Sequence, residues 1–207
     1  MTIDQKSAEG DLAFMRAILE EGDTYDRSFG INYFAAGLLY GLQCMANGVL
    51  LLVADDAPTW IWLTVGILPT VLFLTININS VWQNRERPFG TGTAKRAIGA
   101  AFAGGGMAIL VSACIFGWVA YDRADWTIWF LYPVVVCAFQ GAIWFTAMIV
   151  RRKMWYGAAA FGWFFSAPVL TIFMNQTGAY VFVLGIILIL FMAVPGLVIL
   201  RNASSQK

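Results

Sequence analysis

The chain is 207 residues long, 60% hydrophobic and only 12% charged, with a formal net charge of +1. Soluble domains carry about 45–50% apolar and about 25% charged residues, so this composition excludes an ordinary soluble domain and places the chain in the membrane class. The chain has no histidine, which excludes His-ligated haem, the commonest zinc and copper sites and His-based acid–base catalysis.

The first element predicted is a helix over Ser7 to Gly22. Ser7 is a suitable N-cap, with Glu9 and Asp11 in the first turn. Leu12, Met15, Ile18 and Leu19 recur at helical spacing as one apolar face, widened by Phe14. Gly22 reads as its stop. Helices that lie on membranes are usually basic, whereas this one sets Glu9, Asp11, Glu20 and Glu21 against Arg16. The expected use of Leu12, Met15, Ile18 and Leu19 is therefore docking on protein, either the chain's own basic loops or a partner.

A spanning helix needs about 20 mainly apolar residues. Six runs qualify: Ile31 to Ala54, Pro58 to Ile78, Ala97 to Tyr121, Thr127 to Val150, Met154 to Phe173 and Ala179 to Leu200. All the charged residues lie outside them. The first run follows an acidic segment and is long enough to span, so it reads as a retained helix rather than a cleaved signal. The expected fold is all-α: a polytopic membrane protein of six transmembrane helices preceded by a cytoplasmic amphipathic helix. Its parts are a segment 1–30, a membrane domain 31–200 and a tail 201–207.

The basic residues set the threading. Lys6, Arg16, Arg27, Arg85, Arg87, Lys95, Arg96, Arg151, Arg152, Lys153, Arg201 and Lys207 fall on one side of the runs. Arg123 alone is on the other, beside Asp55, Asp56, Asp122 and Asp125. By the positive-inside rule both termini are cytoplasmic. Trp60, Trp62, Trp118, Trp126 and Trp129 at outer ends, with Trp82 and Trp155 at inner ends, match an interfacial aromatic belt. Trp144 and Trp163 lie deep inside their runs instead.

Within the spans the candidates for packing are small residues, which let membrane helices approach closely. They are Gly37 with Gly41, then Ala100 with Gly104 beside Gly105 and Gly106, and Ala158 with Gly162 and Ser166. Packing within the chain and a homo-oligomer seam are the two uses open to them. The polar candidates are Gln43 and Asn47, one turn apart on the first span, and Gln140 at mid-depth on the fourth. They read either as interhelical staples or as the polar lining of a pocket or pore. Trp144, Phe145, Phe161, Trp163 and Phe165 would then be its apolar walls. Pro69, Pro133, Pro168 and Pro195 sit inside spans. Pro69 to Asn77 loosely resembles Pro168 to Asn175, the pattern of an inverted repeat, although proline is common in membrane helices anyway. Cys44, Cys114 and Cys137 are odd in number, lack a CxxC pair and read as small buried hydrophobes. No phosphate loop, nucleophile elbow, metal cluster or paired carboxylate is present in the sequence.

The stretches 11–22 (DLAFMRAILEEG), Gly37-Leu-Leu-Tyr-Gly-Leu-Gln43, Tyr132-Pro133 with Gln140-Gly-Ala-Ile-Trp144, and Pro195-Gly196 give the chain its particular organisation. In these it resembles a group of six-span alphaproteobacterial inner-membrane proteins without an established activity. That resemblance implies a topology and a bacterial inner-membrane location, and no function. The expectation is a non-catalytic accessory or regulatory protein that binds a protein partner or a lipid-like ligand, with no cofactor, metal or nucleic acid. The alternative is a passive channel or facilitator for a small neutral solute, resting on Gln43, Asn47 and Gln140.

Overall fold

The computed structural model describes the backbone of residues 3–54, 56–83 and 93–204, and side chains within 27–80, 82–83 and 96–203, Asp55 excepted. These residues are helical almost throughout, without a strand. α1 spans Ile3–Val53, α2 Thr59–Gln83 and α3 Thr93–Asp122. A 3-10 turn, Trp126–Phe130, leads into α4, Leu131–Arg151. α5 is Met154–Ile172, α6 is Thr177–Leu188, and α7, Val194–Ser204, continues α6 through a π-turn at Ile189–Ala193.

Five stretches are long and apolar enough to cross a membrane: Arg27–Val53, Thr59–Ser80, Arg96–Asp122, Trp126–Arg151 and Thr177–Ala203. The chain is thus a helical bundle compatible with a multi-pass membrane protein. α5 has 19 residues and is rich in alanine, glycine and aromatic rings. Its polarity is diluted rather than charged, and it is the most enclosed helix, burying Tyr156, Ala159, Ala160, Gly162, Trp163, Ser166 and Leu170.

One difference from the sequence reading is in α1. The helix runs unbroken through Gly22, so the segment before the first span is a continuation of that span's helix. A single internal glycine costs about 1 kcal/mol relative to alanine, which is too little by itself to stop a helix continued on both sides. The side chains of Leu12, Met15, Ile18 and Leu19 lie outside the described residues.

α1 is the hub. One face meets α6 and α7 antiparallel along Gly30, Gly37, Gly41 and Gly48. Their counterparts are Gly196, the Met192–Ala193 backbone, Gly185 and Gly178. A Cβ on Gly185 would lie 2.6 Å from the Gly41 carbonyl oxygen, and one on Gly37 would strike the Ala193 backbone nitrogen. Small residues here let two backbones touch, which is what drives association where lipid removes any hydrophobic advantage. A second face meets α2 through polar groups. Ser28 and Ser80 share a 2.6 Å hydrogen bond, Asn32 Nδ2 donates to Ser80 Oγ at 3.0 Å, and Gln43 Nε2 donates to the Gly66 carbonyl at 3.0 Å. A third face carries Phe29 and Tyr33 against Phe102 on α3 and Trp144 on α4.

The remaining joints are local. Tyr180 on α6 donates its hydroxyl to the Phe130 carbonyl at 2.5 Å, tying α6 to the 3-10 turn. Asp125 caps that turn by accepting from the Thr127 hydroxyl at 2.6 Å and from Thr127 N at 2.9 Å. These bonds, the side-chain one from Thr127 first, hold the Asp125 carboxyl below its usual range. Both α2 and α5 run unbroken through their prolines, Pro69 and Pro168. Pro195 is preceded by the π-turn, in which Val194 N–H reaches the Ile189 carbonyl five residues back. Discontinuous helices of the kind that mark a transporter site do not occur among the described spans.

Candidate functional site

The deepest polar centre forms around the Tyr33 hydroxyl. Tyr33 is 6% exposed, Trp144 is fully buried and Trp163 is 1% exposed. Trp144 Nε1 donates to the Tyr33 hydroxyl at 2.7 Å. Tyr33 in turn donates to Gln140 Oε1 at 3.2 Å. A phenol has one donor and two acceptor positions, so this geometry uses the donor and one lone pair. Trp163 Nε1 faces the same hydroxyl region but reaches no hydrogen-bond partner and is buried. The rings close around these groups: Phe102 lies edge-on to Trp144 at 5.8 Å, and Tyr156 and Trp155 lie at 5.4 and 5.9 Å.

Each helix delivers its member through local sequence. Gln140, Trp144 and Ala147 recur at helical spacing on α4, and the stripe is kept slim by Gly141, whose missing Cβ makes room for the Phe164 ring. On α5, Gly162 leaves space for the Phe191 ring of the π-turn, and Trp163 lies beside that ring at 6.3 Å. The π-turn therefore touches both Gly37 of α1 and Gly162 of α5, the two helices that supply Tyr33 and Trp163. π-turns inside α-helices are frequent at functional sites.

Three of the five residues singled out from sequence thus converge: Gln140, Trp144 and Trp163. Gln43 and Asn47 do not join them. Gln43 donates to α2, ten residues further along α1 than Tyr33, or about 15 Å at 1.5 Å per residue. Asn47 follows Gln43 by one turn and is half-buried. Gln43 and Gln140, which similar depth would allow to meet, instead make two separate polar contacts. The expected aromatic walls are also corrected. Phe145, Phe161 and Phe165 are 50%, 71% and 60% exposed and face outward. Their replacements are Tyr33, Phe102, Trp155 and Tyr156. Of the small-residue stripes, Gly162 and Ser166 are buried while Ala158 is exposed. On α3 it is Gly105 that receives Ile143, and Ala100 and Gly104 face outward.

Tyr33 is the residue that sequence reading missed. Its position four residues from Phe29 on the face opposite the exposed Leu42 was the only signal available. Chemically the cluster contains neutral donors and acceptors alone. It can orient and join helices, and it offers no group that would carry charge or act as a nucleophile at neutral pH. No group of three metal-ligating residues occurs among the described residues. Cys44 is half-buried, Cys114 exposed and Cys137 buried, and all three are free.

A bundle of long apolar helices with a neutral, enclosed polar centre is of a class compatible with multi-pass membrane proteins. Comparison with protein-family models, curated proteins and solved structures finds no match to this chain.

Proposed function

We propose that the protein is a non-catalytic accessory or regulatory protein of the bacterial inner membrane, with both termini cytoplasmic and α5 as a sixth span, that binds a protein partner or a lipid-like ligand. The observation that carries the protein-partner arm is α2. None of the most apolar window of this span is buried. α2 is held to α1 by a few polar bonds and the Tyr40–Phe73 ring contact, and it presents Leu63, Ile67, Leu68, Val71, Leu72 and Leu74 outward. A helix held on one side only is suited to be shared with a neighbour in the plane of the membrane. The acidic face of the N-terminal part of α1 offers a second contact, with Leu12, Met15, Ile18 and Leu19 as its apolar hold. A facilitator has less support, because the Gln43 and Gln140 amides already serve different neighbours.

The test is photo-crosslinking in native membranes from a benzoylphenylalanine placed at Leu68 or Val71, with Leu190 of the π-turn, also exposed, as the control. The expected result is a discrete protein adduct from the α2 positions that is absent from Leu190 and weakened by Ile67→Trp. Lipid adducts alone at every position would overturn the protein-partner arm.

A further inference from the structure

Among the residues whose side chains are described, one end of the bundle carries basic groups alone. The α3–α4 register sets Gly117 against Trp129, Gly105 against Ile143 and Phe102 against Trp144. Carried on for two turns, it brings Arg96 level with Arg151. Phe29 meets Phe102 edge-on at 4.7 Å, so Arg27 of α1 enters the same level. The described carboxylates all lie at the opposite end, Asp122 as the last residue of α3 and Asp56 and Asp125 in the connections.

The centre of this basic end is the turn between α4 and α5, which consists of Arg152 and Lys153. Arg152 has φ 53°, the left-handed conformation, and its N–H closes α4 on the Met148 carbonyl at 2.8 Å. Glycine is the residue that adopts this conformation without steric cost. An arginine here keeps a third consecutive cation where the chain turns. Arg152 and Lys153 are exposed, and no carboxylate pairs with either among the described residues. Beside them Arg151 lies over the Tyr156 ring at 5.8 Å, and Tyr156 stands 4.1 Å from Trp155. Met154 follows at once and is 82% exposed.

Cations, indole and an outward thioether side by side at the end of apolar helices match the two halves of a phospholipid. We propose that the α4–α5 turn, with Arg96 and Arg27 beside it, binds the phosphate headgroup of an anionic phospholipid, with Met154 and Trp155 against the start of its acyl chains. Free phosphate would be served by the cations alone and leaves Met154 without a role. This inference deepens the lipid arm of the proposed function and does not depend on the α2 contact, so the two fail separately.

The experiment uses the full-length protein in nanodiscs of phosphatidylcholine doped with phosphatidylglycerol or cardiolipin, with retained lipid counted by native mass spectrometry. The wild type should retain anionic over zwitterionic lipid. Arg152→Gln with Lys153→Gln should lower that preference by roughly fivefold for each charge removed, the contribution of a basic residue near an anionic surface. Arg123→Glu changes the net charge by the same two units at the opposite end and should leave most of the preference intact. Arg96→Gln, on another helix, should give a single-charge loss and stands in if the double variant fails to fold. Equal loss in Arg152→Gln/Lys153→Gln and in Arg123→Glu would reduce the effect to net charge and overturn the site. Full displacement of the lipid by millimolar inorganic phosphate would overturn the lipid assignment.

Discussion

The seam between α1 and α6–α7 is made of backbone against backbone, whereas the seam between α1 and α2 is made of amides, hydroxyls and one ring contact, Tyr40 with Phe73 at 5.5 Å. In the first, Gly37, Gly41 and Gly185 leave no space for even one carbon. In the second, Asn32 and Gln43 each donate one bond, and their carbonyl oxygens Oδ1 and Oε1 are buried without a partner. Interhelical hydrogen bonds in membranes average about 0.6 kcal/mol, and an orphaned polar atom in lipid works against that. The difference teaches where rigidity lies. Close approach over about five turns locks α1 to α6–α7, while α2 is attached by a few polar bonds and a single ring pair. The helix that proposes itself for a partner is the one the chain holds least.

The largest expected effect tests the tight seam. Gly37→Leu should prevent recovery of a folded monomer, and Gly37→Ala should destabilise by about 1–3 kcal/mol, the usual range for overpacking. Thermal unfolding in detergent, followed by tryptophan fluorescence, reads both. A Gly37→Ala protein that melts with the wild type would break the comparison.

Next comes the third face of α1. Tyr33→Phe removes the acceptor of Trp144 and the donor to Gln140, leaving buried polar groups unpaired at about 1–3 kcal/mol. The same melting experiment should show the loss, and Trp144→Phe combined with Tyr33→Phe should cost less than the two changes summed, because they share one bond.

Smaller still is the polar seam. Gln43→Leu loses one bond of about 0.6 kcal/mol and also removes the orphaned oxygen, so melting should shift little in either direction. A large loss would show that α2 is held far more firmly than the geometry implies.

The smallest effect is Gly66→Ala on α2. A Cβ there meets nothing within 4 Å, so the change should be neutral or should stabilise by up to about 1 kcal/mol through helix propensity. Gly66→Ala and Gly37→Ala are the same chemical change, and their opposite signs would sharpen the contrast between the two seams.

Much of the fold was legible. The run Met154 to Phe173 corresponds to α5 at Met154–Ile172, and Thr127 to Val150 corresponds to the 3-10 turn plus α4. Where ends differ, as with α2 running to Gln83 and α3 starting at Thr93, hydropathy marks the apolar slab while the helix continues into the polar flank. The site was half legible. Trp144 and Trp163 stood out because they broke the interfacial belt, and Gln140 because amides are scarce in lipid. Phe161 and Phe165 were misread for a physical reason: lipid and protein interior are both apolar, so a phenylalanine carries no mark of which one it faces. Tyr33 was missed because its partner is 107 residues away, and nothing local announces a bond across that distance.

The glycine seam also sets an order in time. Gly48 of α1 rests on Gly178, and Gly30 on Gly196, so the tightest contact joins the first span to the last. At about 5–20 residues per second of synthesis, the grooved face of α1 waits roughly 6–30 s before its counterpart is made. During that interval the nascent chain holds its most adhesive surface open to any other helix nearby. Closure of the last span ends the vulnerability, and a chain cut short before Thr177 would never reach that point.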